Sequence, residues 1–349
     1  MKCFYVNARR IPITWKSRIV FVIASVTTLT LARAAGAGNP SPPDTQPIIF
    51  ASFAESPQQV EDVRLLAISI RTFAGAYKDA PVRLYAPTGL IEEGSETLKS
   101  LVGLGVEVRH CTAPATALWF FFAAKVYAAA QAEADAAGET AILAWLDDDT
   151  IVLQQPDEFL LAAGKNFGYR PVMHKNIGLY YNEPMDAFWG RAFALLGVKE
   201  SSIFPVVTPA DGDTLRTYIN AGCLAVRPER GLLGRWAECF SELYPDPEMT
   251  EMCRQDSAKR IFIHQVALTG AILMHLARHE MIEFSDRINY PIFFESKFGA
   301  KRDFRDLTGV VTFRHESYFK DPAPDWERQL RGPADRIAWI KTHLAVTSP

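Results

Sequence analysis

The run Ala141-Ile142-Leu143-Ala144-Trp145-Leu146 leads into Asp147-Asp148-Asp149, and Thr150-Ile151-Val152-Leu153 leads out. No other stretch constrains the fold of this chain as strongly. A short apolar run without Gly or Pro has the pattern of a strand buried on both faces of a sheet. Open α/β sheets bind ligands beyond the carboxyl ends of such strands. Three carboxylates crowded there repel one another and resist burial, and a divalent cation relieves both costs. Hard oxygen donors on this spacing suit Mg²⁺ or Mn²⁺ shared with substrate phosphates. The competing reading, a solvated acidic turn after a strand, stays open on these three residues alone.

The rest of the chain is organised around that strand. Ile48 to Phe53 reads as a first strand, and Val60 to Tyr77 as a helix with Val63, Leu66, Ile70 and Phe73 on one face. Pro81 to Tyr85 is a second strand, followed by a Pro-Thr-Gly turn, and Glu92 to Leu104 is a helix stopped by glycines. Val106 to Val108 is a third strand, and Ala117 to Ala137 a long Ala-rich helix ended by Gly138. Strands alternating with helices predict an α/β fold with a mostly parallel, doubly wound sheet. Right-handed crossovers then put the ends of the Ile48 and Asp147 strands on one rim. Lys165 to Pro209 is the least regular part. Leu232 to Leu243, Ile261 to His279 and Asp335 to Leu344 read as helices.

Composition matters mainly for what it excludes. The formal charge is −3 and no basic run lies beyond the N-terminus, which argues against a nucleic-acid partner. The N-terminus itself carries Arg9, Arg10, Lys16 and Arg18 without an acidic residue, then a mostly apolar stretch from Ile19 to Leu31, then small residues from Ala32 to Ala37. That is the three-part form of a secretory signal peptide, here residues 1–37. Arg18 and Arg33 bracket fewer apolar residues than the roughly 20 a membrane helix needs, so a short uncleaved anchor near a membrane is the lesser alternative. Losing this leader removes six positive charges and takes the formal charge to −9. Residues 38–47 read as a flexible Pro/Ser/Asn linker, and 48–349 as one domain. Cys111, Cys223, Cys239 and Cys253 could pair as two disulfides or serve as four buried thiols, and none has zinc-type spacing.

Several further segments stand in order around the acidic strand. Phe122 and Lys125 lie on the helix before it, and Pro156-Asp157-Glu158-Phe159 follows it. Then come Tyr218 to Pro228, containing Asn220-Ala221-Gly222, then His264-Gln265, and finally Val310 to His315 with Lys320 and Trp326 beyond. This ordered set, spanning about Ile48 to Trp326, resembles the GT-A nucleotide-sugar glycosyltransferases, and among them the glycogenin-like retaining transferases of family 8. The Asp-x-Asp element alone is a weak motif, and the ordered set is a stronger one. Two departures stand out: His264 replaces the Asp of that family's Asp-Gln pair, and Lys320 follows His315 one residue early, without the usual intervening Gly.

The resemblance implies a GT-A-like (Rossmann-like) sheet with Asp-x-Asp at a strand end. It implies transfer of a sugar from a nucleoside-diphosphate donor to a carbohydrate, glycan or glycoconjugate acceptor. It also implies Mn²⁺ or Mg²⁺ on Asp147, Asp149 and His315, stabilising charge on the departing diphosphate. Asp147, Asp149, Asn220 and Gln265 are the implied catalytic residues. Ala51, Ser52, Lys125, Asp148, Gly222 and Lys320 are the implied donor-binding ones. Each has a duller competitor: Lys125 as a snorkelling surface lysine, Asn220 as a turn former, Gln265 as a helix cap, His315 as an exposed strand-end histidine. His264 and His275 read as structural. Tyr180, Tyr181 and Trp189 could stack on sugar faces or simply pack, and Trp119 to Phe122 read mainly as core or groove lining. An exported, non-catalytic glycan-binding protein on the same fold is the alternative function. A nucleotidyltransferase would want a Gly-rich basic loop after the first strand, and Ala51 to Gln58 has neither feature.

Overall fold

Alternate residues of the acidic strand serve two different cores, as a strand buried on both faces must. Leu143 and Trp145 face one apolar cluster, and Ala144 and Leu146 face the other. These contacts are seen in a computed structural model that describes residues 47–94, 96–292, 306–316 and 330–344. The expected leader 1–37, most of the linker, Lys320 and Trp326 lie outside the described residues. Among the described residues no helix is long and apolar enough to cross a membrane.

The first strands are β1 (Ile49–Phe53), β2 (Val82–Pro87), β3 (Val106–Cys111) and β4 (Leu143–Leu146). Further along come β5 (Thr150–Val152), β6 (Phe167–Pro171), β7 (Pro205–Val207), β8 (Thr214–Arg216) and β9 (Ile219–Val226). The last are β10 (Met281–Glu283), β11 (Tyr290–Pro291) and β12 (Thr312–Arg314). Among the described residues the main sheet has seven strands in the order β10-β6-β9-β4-β1-β2-β3. It is mostly parallel, and β9 runs antiparallel to both its neighbours, β4 and β6. The expected α/β class with helices flanking a mostly parallel sheet is what is seen. β1 and β4 are parallel neighbours in register Ala51↔Trp145, so Phe53 and Asp147 emerge on the same rim. A smaller sheet, β11-β12-β5, begins where the acidic turn ends.

Helices α1 (Pro57–Phe73), α2 (Thr88–Glu92) and α3 (Glu96–Gly103) follow β1 and β2. The expected Glu92 to Leu104 helix is α3 alone, starting late because Gly94 takes φ +58°, and the expected Pro-Thr-Gly turn instead opens the short α2. Helix α4 (Ala123–Ala136) begins six residues later than the periodicity suggests. Phe122, at φ 60°, is left-handed and cannot continue a helix backward. Next come α5 (Ala187–Leu196), α6 (Leu232–Leu243), α7 (Pro247–Gln255) and α8 (Ser257–His275). Helix α8 starts four residues before the expected Ile261 because Asp256 caps it, accepting from the Ala258 and Lys259 N–H groups. The four described cysteines are free and buried, so the thiol reading holds.

Glu133 ties α4 to α6. Its carboxylate accepts from the Leu232, Leu233 and Gly234 N–H groups at 2.8, 2.7 and 2.9 Å, supplying the cap that Gly231 cannot. Glu133→Ala leaves these buried donors without an acceptor. The expected cost is about 2–3 kcal/mol, read as a lower urea midpoint with an unchanged slope; an unchanged midpoint would contradict it.

Candidate active site

Strand β4 ends in a turn whose geometry sets the site. The Asp147 N–H still donates to Gly222 O at 2.8 Å, extending the β4–β9 ladder by one residue. The Thr150 N–H then returns to Asp147 O at 3.1 Å, and β5 departs into the small sheet. Because β12 runs antiparallel to β5, Arg314 lies opposite Thr150. The His315 N–H donates to Asp149 O at 3.1 Å, which fixes that register beside the acidic turn.

A cavity of ≈ 210 Å³ that opens to solvent lies over this turn. Phe53 and Glu55 line it from the end of β1, Gln59 from the first turn of α1, Phe122 and Lys125 from α4, and Asp147 and Asp148 from the turn. Asn220 and Gly222 line it from β9, His264 and Gln265 from α8, and Arg314 and Glu316 from the end of β12.

The acidic turn meets two cations. Lys125 Nζ donates to Asp147 Oδ1, and both side chains are largely buried. Lys125 is therefore not a snorkelling surface residue. Arg314 donates to both oxygens of Asp149, Nε to Oδ1 at 2.9 Å and Nη2 to Oδ2 at 3.1 Å. The same Nη2 lies 3.3 Å from Asp147 Oδ2. The Glu316 N–H adds a third bond to Asp149, 3.0 Å to Oδ2. Burial alone would raise the Asp149 carboxyl, but the Arg314 charge overrides it and holds Asp149 below the usual carboxylate range. Among the described residues no such partner meets Asp148. Burial, then the charges of Asp149 and Asp147, push it well above that range.

Gly222 is required by close approach. A Cβ there would stand 2.8 Å from Asp147 Cγ and 3.0 Å from Asn220 Oδ1. Asn220 Oδ1 accepts from the Gly222 N–H at 2.8 Å and from Asn289 Nδ2 at 3.4 Å, so this side chain can offer a ligand its Nδ2 hydrogens. Gln265 is buried at the cavity wall, and its Oε1 finds no hydrogen-bond partner among the described residues. It is not a helix cap, since it lies in the middle of α8. An orphan buried acceptor in a cavity wall fits a ligand hydroxyl or amide.

His264 sits beside it, 2% exposed, with the Phe122 ring 4.8 Å from its own. Its Nδ1 stands 2.8 Å from Ile261 O, which can only accept, so the neutral ring carries its proton on Nδ1. Burial, then the Lys125 charge, pushes this imidazole down to about 3. Below about pH 6.5 the unfolded chain takes up a proton that the folded chain refuses until about pH 3. His264 therefore costs stability as pH falls through that window, at about 1.4 kcal/mol per pH unit. Denaturant midpoints of wild type and His264→Asn should diverge progressively below pH 6.5, the wild type falling faster. Parallel pH profiles would refute this.

Other expected residues are placed differently. Ala51 and Ser52 are buried within β1 and do not line the cavity, whose β1 side is formed by Phe53 and Glu55. Asp149 and His315 are buried and do not line it either. His315 is thus not an exposed strand-end histidine; its Nδ1 lies 3.2 Å from Glu316 O. Among the described residues no group of three or more His, Cys, Asp or Glu side chains is placed to hold a metal ion. Both Asp149 oxygens carry Arg314, and those of Asp147 face Lys125 and Arg314. As placed, Asp147, Asp149 and His315 do not fit a divalent metal. Trp189 is core, its Nε1 donating to Ile177 O at 2.7 Å, whereas Tyr180 and Tyr181 are exposed. Trp119, Phe121 and Phe122 are exposed as well, and Phe120 is buried.

Sequence reasoning missed Arg314, the most connected cation of the site. Its signal was present: an arginine beside the closing histidine, at the end of a strand that must pass the acidic turn.

Comparison with known proteins gives one family. Residues 54–275, well over half of the chain, match the family described as the Rhodobacterales glycosyltransferase domain. No curated protein matches the chain in sequence. Among solved structures, the galactosyltransferase LgtC, in complex with donor and acceptor sugar analogs, is 14% identical. That match covers 87% of this chain and 98% of LgtC at a TM-score of 0.43. Mouse xyloside xylosyltransferase 1 is 13% identical over 78% of this chain and 98% of its own, with a TM-score of 0.42. The glycosyltransferase GlyE of Streptococcus pneumoniae is 14% identical over 86% of this chain and 62% of its own, also at 0.42. Likenesses this distant add nothing about substrate.

Proposed function

This chain belongs to the Rhodobacterales glycosyltransferase domain family, and from that premise we propose that it moves a sugar from a nucleoside-diphosphate donor to a carbohydrate, glycan or glycoconjugate acceptor. The observation that carries this reading is the cavity over the acidic turn, which gathers Lys125, Arg314, Asn220 and the orphan Gln265 amide within one wall system. As the sugar leaves, negative charge grows on the diphosphate. Lys125 and Arg314 are cations already oriented by Asp147 and Asp149, so they can meet that charge without rearranging. Asn220 Nδ2 and Gln265 Oε1 offer a donor and an acceptor for sugar hydroxyls. Asp148, held toward its protonated form, can donate to a ligand oxygen. Retention of configuration, implied by the family 8 resemblance, is part of the proposal. A resident Mn²⁺ or Mg²⁺ is not, because the oxygens it would need are engaged.

The test is incubation of the full chain with a panel of nucleotide sugars, reading released nucleoside diphosphate and the product anomer by proton NMR. Turnover of one donor with retained configuration supports the proposal, an inverted product refutes the stereochemical part, and no turnover of any donor refutes the transferase reading.

The leader at residues 1–37 makes export, with or without a membrane anchor, part of the same proposal. N-terminal sequencing of chain recovered from the producing cells should begin near Gly38; an intact Met1 in a soluble cytoplasmic fraction would contradict export.

A further inference from the structure

We propose that the guanidinium of Arg314 is the resident cation of this acidic site, and that the protein works without a divalent metal there. This rests on, and deepens, the transferase reading. Asp147 and Asp149 present four carboxylate oxygens, and every one faces a cation or an N–H group. Lys125 takes Asp147 Oδ1, and Arg314 Nη2 stands 3.3 Å from Asp147 Oδ2. Arg314 bridges Asp149 in the two-point fork that a planar guanidinium makes with a carboxylate, at 2.9 and 3.1 Å. The Glu316 N–H completes the set.

Asp147 and Asp149 meet Lys125 and Arg314, two cations that cannot diffuse away, and Arg314 also reaches Glu316 Oε1 at 3.5 Å. A divalent ion on the same oxygens would have to displace a bidentate guanidinium into a cavity whose wall it already forms. Losing one partner from a largely buried charge pair is strongly unfavourable. Topology makes the arrangement permanent rather than incidental. The β12–β5 ladder places Arg314 opposite Thr150, and the His315 N–H on Asp149 O locks the register. A tethered cation of this kind offers a diphosphate a planar face of N–H donors at a fixed position, where a metal offers ligand exchange. Arginine is the side chain best suited to that geometry. No bond is made or broken by Arg314; its part is to hold the aspartates and to face the departing diphosphate.

Electron paramagnetic resonance of added Mn²⁺ tests this without any donor substrate. With the full wild-type chain, the free Mn²⁺ signal should stay at its buffer amplitude, and with Arg314→Lys it should do the same. Arg314→Met, which bares Asp149 and one oxygen of Asp147, should quench about one ion per chain. Uptake of one Mn²⁺ by the wild type, abolished by Asp149→Asn, would overturn the proposal. So would an Arg314→Met chain that folds by circular dichroism yet binds no more Mn²⁺ than wild type. If Arg314→Met does not fold, thermal unfolding of the wild type decides: the same transition in Mn²⁺ and in chelator is expected. A rise with Mn²⁺ that Asp149→Asn removes would overturn the assignment. Failure of the chain to turn over any nucleotide sugar would refute the transferase reading and leave this cation result to stand or fall by itself.

Discussion

Gly222→Ala is expected to lower sugar transfer by about 100-fold or more, because displacing reacting groups by an ångström costs a factor of that order. The methyl group would overlap the Asp147 carboxylate and press on Asn220 Oδ1, and neither has room to yield. Asp147 is held by Lys125 and Arg314, and Asn220 by Asn289 and the Gly222 N–H itself. The strand backbone therefore has to move, or two site residues must leave their places. Overpacking of this sort also costs about 1–3 kcal/mol of stability. The activity loss should exceed what that destabilisation explains, which is checked by measuring initial rates well below the unfolding transition. Wild-type rates in a folded Gly222→Ala chain would show that Asp147 is not positioned for the reaction.

The second large effect is expected from Lys125→Met. The substitution keeps the length of the side chain and removes only its charge. Asp147, largely buried, then loses the partner of Oδ1 and keeps Arg314 on the other oxygen. Removing one member of a buried pair costs about 3–5 kcal/mol, and the remaining arginine places this case at the lower end, about 3 kcal/mol. Loss of a preoriented cation facing the leaving diphosphate should lower turnover by a further 10²–10³-fold, a typical range for such a group. Chemical denaturation gives the first number, and donor turnover by the folded fraction gives the second. A stable, fully active variant would return Lys125 to the role of a merely buried lysine.

Much of this site is legible in the amino-acid sequence. Asp147, Asn220 and Gln265, expected as catalytic, and Lys125, Asp148 and Gly222, expected at the donor, all line one cavity. The reason is physical: an apolar strand that ends in carboxylates must put them at a sheet rim, and the parallel neighbour β1 brings its own end to the same rim. The helix caps escaped the sequence reading: Ser56 starts α1 three residues before the expected Val60 and Asp256 starts α8 four before the expected Ile261, each a short polar residue that accepts from the first helical N–H groups.

What escaped was set by contacts far apart in sequence. Arg314 reaches Asp149 across 165 positions, and only the β12–β5 pairing makes them neighbours. Ala51 and Ser52, which the resemblance implies at the donor, lie inside the β1–β2 pairing, which runs on to Phe53; both are buried and Phe53 stands at the rim. The long Ala-rich helix begins late because Phe122 adopts a left-handed backbone, which no periodicity reveals. It is a local strain placed at the cavity wall, where strain of this kind tends to collect.

In the proposed reaction this cavity holds a nucleoside-diphosphate sugar against Lys125, Arg314 and Gln265. Calorimetric titration of the full chain with a panel of nucleoside diphosphates and their sugars, in the presence of chelator, tests it most directly. Gln265→Ala serves as the control, since among the described residues its side-chain oxygen makes no hydrogen bond that the fold would lose. Micromolar binding of one nucleotide sugar in chelator, weakened about tenfold or more by Gln265→Ala as loss of one good hydrogen bond would do, is the result the account predicts. Absence of binding by any nucleotide sugar, with or without Mn²⁺, would contradict it.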